Sequence, residues 1–184
     1  MNLRSQYLAL WLLAPMPMIA LAAPGLECHE TQGFRVVEKS LMNAVGTDFL
    51  IKPMIEKNLS SPCAYRVQSG DFEILNETAE YFLGLQDHLL ILDSGTGPSP
   101  RGLIIWDIAK RQKIYIGSYV EPIEIFPDKL VFWTESAIAN EKNCPDQSRW
   151  QANGLGAAIE TQVKLTLPEL NIIKLTDTRC SPRQ

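Results

Sequence analysis

The chain has 184 residues, 17 basic against 21 acidic, a formal net charge of −4, and 46% hydrophobic residues. That is enough apolar material for one domain with a buried core. The mildly acidic balance, with no basic run, offers a nucleic-acid backbone no electrostatic handle, so no nucleic-acid partner is expected.

The first residues read as an export signal over residues 1–22. Arg4 is the only charge of a short leading region, residues 7–13 are apolar, and Pro15 and Pro17 interrupt the run before it resumes at Met18. Ala20 and Ala22 stand at the −3 and −1 positions of a cleavage site. A cut after Ala23 would leave Pro24 at the new terminus, so cleavage after Ala22 is expected. The interrupted stretch is short for a membrane span, which needs roughly 20 apolar residues. The expected product is residues 23–184, a periplasmic or secreted domain of 162 residues with no membrane span after cleavage.

Four cysteines remain, Cys28, Cys63, Cys144 and Cys180, at gaps of 35, 81 and 36. An even number in an exported chain reads as two disulfides. Three pairings are possible, and Cys28–Cys63 with Cys144–Cys180 is favoured as the local solution. No C-x-x-C pair occurs, which argues against a structural zinc site. His29 and His88 are the only histidines. Neither has a second histidine nearby in sequence, so neither a metal site nor another cofactor is expected.

The rest of the chain is rich in strand-like runs of Val, Ile, Phe, Tyr and Trp. Asp48, Asp87 and Asp128 each precede an apolar run, 39 and 41 residues apart. A period near 40 residues suggests repeated sheet units. The expected strands are 34–41, 48–52, 64–67 and 72–75, then 81–85, 89–92, 103–108 and 113–119, then 121–126, 130–134, 161–167 and 170–175. The fold class is therefore all-β: three consecutive four-stranded antiparallel meanders over about 33–76, 79–119 and 120–176. Hairpin turns are expected at 69–71, 109–111 and 167–169. The run Leu103-Ile104-Ile105-Trp106 does not alternate, and is expected to be a central strand covered on both faces. Helical turns are expected at most over 42–45 or 135–142.

Residues 103–108 followed by Lys113-Ile114-Tyr115 resemble the middle of a blade in WD-repeat and quinoprotein-type propellers. The resemblance implies blade-like meanders. Propellers use four or more blades, so an open stack, a barrel or sandwich, and a share of an oligomeric ring all stay open.

In such meanders the loops between second and third strands share one rim. Those loops are 53–62, 93–101 and 135–160, the long ones, and long loops on a rigid scaffold are where binding sits. The second contains Asp93-Ser94-Gly95-Thr96 after an apolar strand. This resembles the catalytic turn of aspartic peptidases, where two such turns contribute one carboxylate each and share a proton. The resemblance implies Asp93 as a catalytic carboxylate in a symmetric dimer. The other reading is a structural turn, with Arg101 closing the loop by an exposed pair to Asp93 worth about 0.2–1 kcal/mol, or with Arg101 binding an anionic partner. The third loop carries Arg149-Trp150, the composition of an interface anchor. Trp150 could instead be a lid on the sheet edge. Asn58-Leu59-Ser60 and Asn76-Glu77-Thr78 fit the N-glycosylation pattern, which counts only in a eukaryotic source.

The leading expectation is a non-enzymatic binding module that uses Asp93, Arg101, Arg149 and Trp150 against a protein or glycan of the cell envelope or a host. An envelope interaction protein and an inhibitor of a secreted enzyme are the two forms considered. The alternative is an aspartic-peptidase-like hydrolase built on Asp93.

Overall fold

The computed structural model describes residues 25–54 and 62–184, so the expected export signal and Asn58 lie outside the described residues. Eleven strands and one short helix follow in chain order: β1 (Leu26–Glu30), β2 (Phe34–Ser40), β3 (Thr47–Pro53), β4 (Phe72–Ile74), β5 (Glu80–Gln86), β6 (Leu89–Ser94), β7 (Arg101–Asp107), β8 (Gln112–Phe126), β9 (Lys129–Ile138), α1 (Gln147–Ala152), β10 (Gly156–Thr166) and β11 (Ile172–Arg183). They form two antiparallel sheets, one of four strands in the order β1-β2-β3-β4 and one of seven in the order β11-β10-β9-β8-β7-β6-β5. All neighbours in a sheet are neighbours in sequence, so both are meanders.

The core explains the arrangement. Val36, Phe49, Ile51 and Ile74 of the small sheet pack against Leu90, Leu92, Ile104 and Ile108. The opposite faces of β6 and β7 contribute Leu89, Ile91, Leu103 and Ile105 to a second core with Leu130, Phe132, Val163 and Leu165 of β9 and β10. The seven-stranded sheet thus folds back on itself, and its β5–β8 half is covered on both sides. Leu103–Ile105 are the buried centre of that half, as the missing alternation foretold. Tyr119 and Phe132 join its two halves edge to face, with ring centroids 6.4 Å apart.

Seven strands replace the expected eight because β8 serves both halves. It pairs with β7 through Tyr119 and with β9 from Val120, and the latter register shifts between Val120 and Glu124. The expected strands 113–119 and 121–126 are therefore one 15-residue strand. Residues 64–67 are not a strand. They belong to a connection held across the outer face of the small sheet, where Lys52 Nζ donates to the Arg66 carbonyl at 2.8 Å and Lys39 Nζ sits 4.8 Å from the Tyr65 ring centre. The fourth strand of that sheet comes instead from β1, a polar run that pairs with β2 over five residues. Residues 135–138, read as a possible helix, extend β9, and the helix lies at 147–152.

Both disulfides follow the favoured pairing. Cys28–Cys63 ties β1 to the β3–β4 connection with Cα atoms 5.9 Å apart, and Cys144–Cys180 ties the β9–β10 connection to β11 at 5.6 Å. No helix among the described residues is long and apolar enough to cross a membrane.

Candidate functional site

The absence of a strand at 64–67 changes which loops share a rim. The 93–101 loop lies beside the 41–46 and 75–79 turns: Gly95 N–H donates to the Ala79 carbonyl at 3.1 Å, and Thr78 Oγ1 is 2.8 Å from Ser94 Oγ. Of the β3–β4 connection, the described residues 62–71 stand at the other end, where Arg111 of the β7–β8 hairpin donates to the Gly70 carbonyl at 2.7 Å. Counting 64–67 as a strand had placed all three long loops together, and its absence puts the small sheet out of step by one strand.

The second and third long loops do meet. Pro98 and Ser99 of one, Leu155 of the other, and Pro182, Arg183 and Gln184 after β11 line a cleft of about 190 Å³. Its walls are built rigidly. Gly95 and Gly154 supply the positive φ that their turns require. Gly46 does the same in the neighbouring 41–46 turn, where a Cβ would collide with the Asn76 side chain and the Ala79 backbone. Asn76 is itself tied at both ends of its amide, donating to the Val45 carbonyl and accepting from Glu80 N–H.

Asp93 and Arg101 come together, on one face of β6 and β7. Arg101 Nε reaches both carboxylate oxygens at 2.7 and 2.9 Å, its Nη2 also meets Oδ2, and its remaining donors bind the Gly97 and Gly95 carbonyls. The Tyr119 hydroxyl donates to Asp93 Oδ1 at 3.0 Å. Asp93 is only 6% exposed, so this is a buried clamp and not the exposed pair expected from the sequence. Hydrogen bonding to Asp93 drives the Arg101 guanidinium above its ordinary range, with burial opposing. Burial, then the Asp93 charge, raises the Tyr119 phenol. Both groups stay donors across the physiological range, so both Asp93 oxygens are committed.

Trp150 and Arg149 lie on α1, which packs beside β10. Trp150 is half-buried, and Arg149 is exposed and paired with Asp146 at 3.2 Å. Leu155 of the cleft is joined to this turn by its N–H, which donates to the Trp150 carbonyl at 3.0 Å. Cys144 pins the stretch before α1 to the last strand.

Two carboxylate centres escaped the sequence reading. Glu160 is fully buried in β10, accepting from Ser181 Oγ and, at 2.5 Å each, from Arg179 Nε and Arg183 Nη2. Burial alone would raise its carboxyl. The hydrogen bonds from Ser181, Arg183 and Arg179 outweigh that and hold it below the usual carboxylate range. The second centre is Glu27, His29 and Glu38 on β1 and β2, whose donor atoms all lie within 4.8 Å of one another. Alternation puts Glu27 and His29 on one face, but Glu38 joins them only through the β1–β2 register.

Comparison with protein-family models, with curated proteins and with solved structures finds no match. The functional reading therefore stands on this chain's own geometry.

Proposed function

We propose that the protein is an exported, non-enzymatic binding module that presents the rim formed by the 94–101 and 139–155 connections to a protein or glycan of the cell envelope or a host. The observation that carries this is the construction of the third connection. A disulfide from Cys144 to Cys180 and the Leu155 hydrogen bond hold α1 in place, so that Arg149 is displayed to solvent and Trp150, whose carbonyl accepts from the cleft residue Leu155, is left half-buried. Fixed aromatic and arginine side chains beside a small apolar cleft are what interface anchors require.

Two disulfides and the export signal read from residues 1–22 support a periplasmic or secreted setting. The committed oxygens of Asp93 speak against the hydrolase alternative, since a shared proton needs a carboxylate edge free to face its twin. The two halves of the large sheet, which share β8, support reading the chain as blade-like units in an open stack.

The test is capture of the partner from envelope and host extracts by the wild-type protein, followed by affinity measurement for variants. Trp150→Ala and Arg149→Ala are expected to weaken binding by about 2 kcal/mol for the aromatic anchor and less for the arginine, with melting temperature nearly unchanged. Lys110→Ala, on the opposite rim, is expected to leave binding unaltered. A large fall in melting temperature for Trp150→Ala would instead make the ring a lid.

A further inference from the structure

We propose that Glu27, His29 and Glu38 form a binding site for a divalent transition-metal ion of the zinc type. The site begins with the strand register. Glu27 lies directly opposite Glu38 across the β1–β2 ladder, and His29, two residues on, projects from the same face. Two carboxylates facing each other across a ladder repel. Among the described residues, no lysine or arginine is ion-paired with either of them, and the group that approaches Glu38 is His29, whose Nε2 lies 3.0 Å from Oε2.

The donors are one imidazole nitrogen and two carboxylate oxygens. Magnesium and calcium favour all-oxygen shells, whereas an imidazole with carboxylates suits zinc and its first-row neighbours. Ligands about 2.1 Å from a tetrahedral ion stand about 3.4 Å apart. The observed Nε2–Oε2 separation of 3.0 Å is close to that, and the 4.8 Å limit for the whole trio leaves only side-chain rotation to close the site. Three protein ligands leave a fourth position for water or an incoming group.

The framework is held from two directions and partly shielded from water. Cys28 stands between two of the ligands and points to the other face of β1, where its bond to Cys63 fixes the strand. The imidazole stacks on Phe82 of β5, with ring centres 3.5 Å apart and planes inclined by 6°. Glu38 and His29 are partly shielded, at 16% and 23% side-chain exposure, so water competes less for the ion than on an open strand. A fixed imidazole plane with its Nε2 aimed at a carboxylate is pre-organised for a metal in the way such sites require.

The experiment is calorimetric titration of the disulfide-bonded protein with zinc chloride, with magnesium chloride as comparator. One zinc ion per chain and no magnesium heat are expected. His29→Gln should weaken zinc binding about 100-fold and Glu38→Gln about tenfold, in line with the dependence of such sites on each ligand. His88→Gln, which removes the other imidazole, should leave it unchanged. Failure of the wild-type protein to take up zinc, full affinity in His29→Gln, or loss of binding in His88→Gln overturns the proposal. Should His29→Gln not fold, the wild-type His29 ring resonances decide: zinc must shift them, and their indifference to saturating zinc overturns the site.

Discussion

Asp93 and Glu38 are both strand carboxylates within reach of one nitrogen base, yet they are opposite kinds of site. Asp93 is closed: a guanidinium and a phenol occupy both its oxygens, and the remaining donors of Arg101 are used on its own loop. Glu38 is open: its partner is an imidazole, and a second carboxylate stands across the ladder. The peptidase-like turn drew attention to Asp93, where charge is already balanced. The place with negative charge to spare lies between β2 and the unanticipated strand β1. What a carboxylate can do depends on how much of its demand the fold has met.

Removing charge at the two places should have opposite signs. Asp93→Ala leaves Arg101 partly buried without its counter-ion, and breaking such a pair costs about 3–5 kcal/mol. Chemical denaturation should show a fall in unfolding free energy toward the lower end of that range, because Arg101 keeps its Gly95 and Gly97 carbonyls. A loss under about 1 kcal/mol, the level of an exposed pair, would show that the clamp contributes little.

Glu160 extends the closed class and adds a pH signature. Its folded carboxyl is held below the usual range, so its contribution is fully present above the unfolded value of about 4.3 and is lost as pH falls through the folded one. Each proton taken up on unfolding gives a slope of up to about 1.4 kcal/mol per pH unit. Glu80 and Asp107 are also held low and add to the same acid limb. Unfolding free energy followed from neutral pH down to about pH 2 should therefore fall below about pH 4.3, and Glu160→Gln should flatten the limb by one proton's share. An unaltered limb in that variant would place Glu160 outside the closed class.

The smallest effect is the most discriminating. Without added metal, Glu27→Gln removes a repulsion across the ladder and should raise stability by a few tenths of a kcal/mol, the scale of a cross-strand charge pair. Thermal melts in chelator would show it. With zinc present the sign should reverse, because the variant loses a ligand.

The parts of this organisation that could be read from residues alone are the ones set by local pattern. The unbroken apolar run 103–106 announced a strand with two dry faces, and the spacing of the cysteines favoured the pairing that the fold uses. Asp93 and Arg101 were legible as a pair because one loop joins them, although their burial was not. β1 was invisible because Leu26-Glu27-Cys28-His29-Glu30 has the polarity of a loop and becomes a strand only by pairing with β2. The run 64–67 misled in the reverse direction: Ala64 and Tyr65 are half-buried over a sheet face while Arg66 and Val67 are exposed, and none of them belongs to a ladder. Glu27, His29 and Glu38 could not be assembled without the register, since nine residues and a turn separate His29 from Glu38.

β8 carries one further consequence. Its 15 residues close one half of the large sheet and open the other without an intervening turn. Because β8 pairs with β7 through Tyr119 and with β9 from Val120, a cut near residue 120 would leave each half its own stretch of β8 but would expose the core that the two halves share, so neither could be moved into another protein as a self-sufficient module.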